Sequence, residues 1–301
     1  ALEQLDLREY DLVISSESGP AKGIIPRPDA LHVCYCHSPM RYIWNMYPEY
    51  RARAGFGTRA LMPGLTHYMR NWDYSSAARV DEFIANSRAV AARINKYYRR
   101  DAKVIPPPVS VDDFSPTAPD RISDAYLMVG ELVEYKRPLL AVETFNALSK
   151  PLIVIGGGEM LEEIRRKAGP TVQVLGPQPF DRLQYYYART RALVFPGEED
   201  FGIVPVEAMA SGRPVIAYGR GGALDSVVHK KTGILFHEPT PHGLANAIKN
   251  FESQTFEPSQ IRAHAENFSY DLFLRRIRSH IDQAIETHLS KPRHALEHLH
   301  N

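Results

Sequence analysis

Residues 195–228 read FPGEEDFGIVPVEAMASGRPVIAYGRGGALDSVV, and the chain is organised around them. Just ahead, Ala192 to Phe195 (ALVF) is a short apolar run suited to a buried parallel strand. Gly197 and the consecutive acids Glu198, Glu199 and Asp200 break that run as a loop. Ile203 to Ala210 then predicts a helix with Pro205 in its first turn, where a missing N–H costs little. Gly212 ends the helix, Pro214 to Tyr218 is the next apolar strand, and Gly219, Gly221 and Gly222 form a loop. Strand, loop, helix, strand and glycine loop make a βαβ unit, whose functional loops fall at the strand C-termini.

Two carboxylates inside this unit are spaced suggestively. Glu199 lies in the loop and Glu207 about one turn into the helix. Phe201 and Gly202 lie between them and offer backbone N–H groups where the helix begins, which favours anions. A carboxylate is a good acceptor for vicinal hydroxyls, so the pair suits a sugar and a ribose held around a phosphate. The competing reading makes Glu199 a helix cap and Glu207 part of a solvated face.

The stretch resembles the donor-binding signature of GT4-type retaining glycosyltransferases, which have the two-domain GT-B fold. The family pattern E-x-F-G-x-x-x-x-E-A-M-A-x-G-x-P-V is matched by Glu199, Phe201, Gly202, Glu207, Ala208, Met209, Ala210, Gly212, Pro214 and Val215. A bare pair of glutamates is weak evidence, but the whole string is specific.

Composition agrees with a soluble α/β protein of one or two domains: 301 residues, a net charge of +1 and 44% hydrophobic content. Near-neutral charge gives no support to nucleic-acid binding. No apolar run approaches the roughly 18 residues of a membrane span, and no signal peptide opens the chain. Cys34 and Cys36, one residue apart, would point to opposite faces of a strand, so no disulfide is expected between them. No ligand cluster suggests a metal. A reducing, cytoplasmic compartment is the expectation, with peripheral contact on the inner face of a membrane as a further option.

Tyr10 to Ser15 and Ala30 to Tyr35 predict strands of a parallel α/β layer. A GT-B protein has more strands before this point, so the resemblance implies an incomplete N-terminal domain. The second strand runs into CHSPMRY (Cys36 to Tyr42), which places His37 at a strand C-terminus. That string is similar to bacterial mannosyltransferases of O-antigen and exopolysaccharide assembly. Met40 to Tyr74 is rich in arginine and aromatics, with Glu49 and Asp73 as its acids. Such a surface suits anionic lipid head groups or an acceptor diphosphate. The other reading, a helical pair with solvated arginines and aromatics in the core, is slightly preferred.

Ala85-Asn86-Ser87 ends a strand, and Ser87 is expected to cap the helix from Arg88 to Tyr98. A proline-rich segment resembling the family's crossover links to a second domain that starts near Ala125. After Gly130 the family carries an arginine and then a lysine, both on the donor diphosphate. Lys136 matches the lysine, Glu131 replaces the arginine, and Arg137 is a second cation able to take its share. The triplet Gly156-Gly157-Gly158 does not complete a dinucleotide fingerprint. In the family this turn packs beside the nucleotide. Tyr185, Tyr186 and Tyr187 are most simply packing residues, and His294, His298 and His300 suggest no metal site.

The expected architecture is therefore α/β: two Rossmann-like domains facing a cleft, with residues 1–120, 121–265 and a returning helix at 266–301. The resemblance implies a metal-independent, retaining transferase without cofactor. Its substrates would be a nucleotide sugar, GDP-mannose by subfamily likeness, and a lipid-linked oligosaccharide of surface polysaccharide synthesis. His37, Lys136 and Glu199 would be catalytic, and Gly130, Arg137, Gly157, Phe201, Gly202, Ile203 and Glu207 would bind the donor. The rivals are a nucleotide-sugar-binding module without turnover, a GT-B epimerase, and a glycoside hydrolase using the two glutamates.

Overall fold

The computed structural model of the chain describes residues 2–290, which divide into two compact α/β units, 2–105 with 274–290 and 106–273. The first unit contains β1 (Leu12–Glu17), β2 (Leu31–Cys36), α1 (Tyr47–Arg53), α2 (Phe56–Ala77), β3 (Glu82–Ala85), α3 (Arg88–Tyr98) and β4 (Lys103–Val104). Its strands form one parallel sheet in the order β1-β2-β3-β4. Every residue of β2 is buried, so its sequence LHVCYC runs apolar without alternating, as expected of a strand covered on both faces. Cys34 and Cys36 are both buried as free thiols. The Ser87 hydroxyl accepts from the Val90 N–H and caps α3 as expected.

Helix α2 is built in an unusual sense. Its buried residues are Thr66, Asp73, Ser76 and Ala77, mostly polar, while Leu61, Leu65 and Tyr68 form an exposed stripe at helical spacing. Phe56 at its start is 93% exposed. The aromatics of this segment are thus only partly core: Trp44 stacks on Tyr97, but Tyr50, Phe56, Tyr68 and Tyr74 face solvent.

Asp73 is buried to hold a charge. Lys22, fully buried, pairs with Asp73 and lies 3.4 Å from Glu17 at the end of β1. Trp44 and the Tyr98 hydroxyl donate to the other Asp73 oxygen at 2.7 and 2.8 Å. Burial works against the Lys22 ammonium, but the adjacent carboxylates outweigh it and hold its pKa above the usual lysine value.

The second unit contains β5 (Tyr126–Val129), α4 (Pro138–Leu148), β6 (Leu152–Ile155), α5 (Leu161–Lys167), β7 (Val172–Gly176), α6 (Phe180–Arg189), β8 (Leu193–Phe195), α7 (Val204–Ala210), β9 (Val215–Tyr218), α8 (Ala223–Ser226), β10 (Gly233–Phe236), α9 (Pro241–Glu252) and α10 (Pro258–Ala265). Six parallel strands run in the order β10-β9-β8-β5-β6-β7. The chain steps outward from β5 to β7, then returns to the other side of β5 and continues to β10. Neighbouring β5 and β8 therefore flank a topological switch point. Apolar side chains fill both faces of this sheet.

The proline-rich segment packs with this second unit. Val109, Val111 and Phe114 are buried in its core, and Arg262 of α10 donates to the carbonyls of Val111, Phe114 and Ala210. Helix α10 has no counterpart among the elements expected from sequence. It buries only Ile261 and Ala265, too narrow an apolar stripe to stand out. The chain ends its described part in α11 (Tyr270–Ser290). His294, His298 and His300 lie outside the described residues. No helix among the described residues is long and apolar enough to cross a membrane.

Candidate functional site

Four loops at the C-terminal ends of β5, β6, β8 and β9 meet backbone to backbone, and glycine makes each approach possible. A Cβ on Gly156, whose φ is +145°, would lie 1.8 Å from the Gly130 carbonyl oxygen. One on Gly197 would meet the Lys136 backbone at 2.6 Å, and one on Gly222 the Phe201 Cα at 2.1 Å. The Gly157 carbonyl accepts from the Leu132 N–H at 2.6 Å, tying the β6 loop to the β5 loop. Gly157 and Gly130, both expected at the donor, are thus part of the mould itself.

Across the switch point, the β5 loop carries Lys136 and the β8 loop carries Glu199. Lys136 Nζ lies 3.1 Å from Glu199 Oε1, with both side chains less than one-fifth exposed. The lysine runs over Gly130, where an added Cβ would come within 3.5 Å of Nζ. Arg137 next to it has left-handed backbone (φ 51°) and starts α4. Its guanidinium stacks 4.5 Å over the Tyr218 ring and donates to the Pro196 carbonyl at 3.3 Å. It is held by the β8 and β9 ends, while Lys136 is held by Glu199. Glu131 is exposed at the start of the same loop.

Glu207, the fourth residue of α7, is partly buried and accepts from the Tyr187 hydroxyl at 2.7 Å. Burial raises its pKa above the ordinary glutamate value, and the Tyr187 hydrogen bond opposes that rise. Glu207 is therefore neither a helix cap nor a member of a solvated face. Glu199 caps nothing either; its side chain is engaged by Lys136. Phe201 is buried against Phe268, so only its backbone faces the loops. Gly202 has φ +79° and packs on the Phe195 ring, and Ile203 is exposed. The N–H groups of Gly202 and Ile203 have no acceptor among the described residues.

His37 belongs to the first unit. Its backbone N–H donates to the Glu17 carbonyl at 2.6 Å, and its Nε2 lies 2.9 Å from the Ser16 hydroxyl. Its ring meets Tyr35 edge-on. Nine of the ten expected site residues thus cluster on the loops and first turns around β5, β6 and β8 of the second unit. Tyr187 is buried in the core as the packing reading expected, and its hydroxyl also donates to Glu207, which sequence reasoning did not foresee. The third tyrosine of a YYY run carries no motif, and only the inward phase of α6 marks it. No group of three or more His, Cys, Asp or Glu side chains among the described residues is placed to hold a metal ion.

Comparison with known proteins agrees with this geometry. Residues 116–268 match the family described as Glycosyl transferases group 1, and residues 1–113 match Glycosyltransferase Family 4. The chain is 31% identical over 199 residues to a D-inositol 3-phosphate glycosyltransferase of Nocardiopsis dassonvillei, covering 56% of this chain and 46% of the relative. It is 38% identical over 98 residues to the alpha-1,3/1,6-mannosyltransferase of Mus musculus, covering 31% of this chain and 23% of that protein. The chain spans about half the length, or less, of the curated relatives it matches. Among solved structures, sucrose-phosphate synthase from Thermosynechococcus elongatus aligns with a TM-score of 0.71 at 20% identity, over 93% of this chain and 75% of that one. The Anabaena HepE protein in complex with UDP aligns with a TM-score of 0.71 at 20% identity, over 91% of this chain and 79% of that one. The α/β fold, two parallel-sheet Rossmann-like domains, matches these GT-B structures. With half of its length inside the family model and the signature loops in place around the switch point, the chain belongs to the group 1 glycosyl transferases.

Proposed function

We propose that this chain is a retaining glycosyltransferase that moves mannose from GDP-mannose to a lipid-linked oligosaccharide without a metal. The observation that carries the reading is the meeting of Lys136 and Glu199 across the switch point, with Glu207 in the first turn of the helix that follows the Glu199 loop. Breaking the sugar–phosphate bond puts negative charge on the departing diphosphate. A fixed ammonium aimed at that charge lowers the barrier, because its orientation is set before the reaction. Lys136 takes this part, with Arg137 beside it. Once Lys136 turns to phosphate, Glu199 is released to accept from sugar hydroxyls. Glu207 accepts from the ribose diol.

Mannose is favoured by the likeness to the mammalian mannosyltransferase. The HepE structures hold UDP and UDP-glucose, so a uridine donor belongs in the test beside GDP-mannose. The lipid-linked acceptor is favoured by α2. Its exposed stripe of Leu61, Leu65 and Tyr68 shares the helix with Arg59, Arg51 and Arg53 precede it in α1, and the helix has no acid before Asp73. Apolar residues flanked by arginines complement an anionic bilayer surface.

The test incubates the chain with GDP-mannose or UDP-glucose and a lipid-linked oligosaccharide, with and without chelator, and reads the anomeric configuration of the product. Transfer with the donor's configuration, unaffected by chelation, is the expected outcome. Nucleotide binding without transfer would make the chain a binding module, and an inverted product would remove the retaining mechanism.

A further inference from the structure

The hydroxyl of Tyr187 is buried, and a buried donor must find an acceptor. It finds Glu207 Oε2 at 2.7 Å. Tyr187 is the one buried residue of α6, only 1% exposed, and its ring is fixed edge-on against Phe114 at 5.5 Å. The Glu207 carboxylate has no other hydrogen-bond partner among the described residues, so Oε1 remains available. We propose that Tyr187 is a positioning residue for nucleotide recognition: its phenol holds one oxygen of Glu207 so that the other is presented to a ribose diol. The inference rests on reading Glu207 as the ribose carboxylate.

The alternative is that Tyr187 only fills the core. Packing needs the ring, whereas positioning needs the hydroxyl, so Tyr187→Phe separates the two. The hydroxyl also favours the ionised form of Glu207, which burial disfavours. Its loss therefore moves the acid limb of nucleotide binding to higher pH. The elements packed against α7 carry Asp181, Arg182 and Arg189 on α6, Asp225 on α8, and Asp112 and Asp113 in the turn at Val111–Asp113. Glu199 lies in the preceding loop, and Arg262 and His264 of the packed α10 are committed to the carbonyls of Ala210 and Ser226. Arg213, beyond the end of α7, donates to the Ser211 carbonyl.

The experiment titrates wild type, Tyr187→Phe and Glu207→Ala with GDP and UDP by calorimetry between pH 5 and 8, and repeats it with the 2′,3′-dideoxy nucleotide. For the nucleotide that wild type binds, Tyr187→Phe should weaken binding by about 10-fold, the scale of one hydrogen bond to a charged group. Its acid limb should shift upward, and it should bind the dideoxy nucleotide as wild type does. Unchanged affinity and pH limb in Tyr187→Phe, with clear weakening in Glu207→Ala, would reduce Tyr187 to packing and overturn the proposal. Full affinity in Glu207→Ala would instead remove the ribose role of Glu207, and the proposal with it. A cooperative thermal transition in each variant assigns any loss to the site and not to unfolding.

Discussion

Lys136 Nζ and Glu199 Oε1 lie 3.1 Å apart, although one follows β5 and the other follows β8, on either side of the reversal in strand order. On the function proposed above, the cation for phosphate and the carboxylate for sugar neutralise each other until a donor arrives, and binding exchanges one partner for two.

Lys136→Ala should therefore lower turnover by about 100-fold, the scale of removing one fixed electrostatic contact, and should weaken binding of GDP or UDP but not of the free nucleoside. Glu199→Ala should depress turnover while leaving diphosphate affinity equal or tighter, because Lys136 loses its competitor. Initial rates and calorimetric titration check both. Equal loss of affinity in the two variants would contradict the exchange.

Glu207 holds its proton to higher pH in the folded chain than its ordinary value of 4.5, because burial disfavours the charge. Between those two values the folded state binds more protons than the unfolded state, so this group withdraws stability as pH rises through the window. Glu207→Gln, which still accepts from Tyr187, should raise Tm, with the gain over wild type growing from pH 4 to pH 8. The same variant should bind nucleotide more weakly. A Tm difference that is flat with pH would contradict the assignment.

In the first unit, Asp73→Leu leaves Lys22 buried with Glu17 as its remaining carboxylate and should cost about 3–5 kcal/mol. The double variant Lys22→Met, Asp73→Leu should recover much of that loss. Urea unfolding measures both. Additive losses would show that the two side chains are not coupled.

The exposed stripe on α2 predicts co-sedimentation with phosphatidylglycerol vesicles and not with phosphatidylcholine vesicles, weakening as salt rises. Replacing Leu61, Leu65 and Tyr68 together with serine should abolish it at little cost in Tm, since all three face solvent. Wild type remaining in the supernatant with both vesicle types would end the idea.

The parts of the fold legible in sequence are those that local chemistry dictates. The run ALVF is buried because a central parallel strand is covered on both faces, and β8 occupies Leu193–Phe195. Ser87 caps α3, and Gly212, with φ +70°, follows α7 where the helix was expected to end. The spacing of Glu199 and Glu207 was visible as a pattern, but their partners were not. Lys136 is 63 positions from Glu199, and Tyr187 is 20 positions from Glu207. Those meetings depend on strand order, which no window of sequence contains. The Lys22–Asp73 pair, 51 residues apart, was hidden for the same reason. The aromatics of α2 were expected in the core, but Phe56, Tyr68 and Tyr74 face outward.

The glycine contacts have a consequence for descent. Because the loops at Gly130, Gly156, Gly197 and Gly222 are seated main chain on main chain, the shape of the cradle they form owes little to any side chain around it. Residues around it can then be exchanged without collapsing the cradle, whereas the glycines themselves cannot. If the proposed function holds, a lineage built on this plan can change the sugar or acceptor it serves by ordinary point substitution, while inheriting its grip on the nucleotide intact.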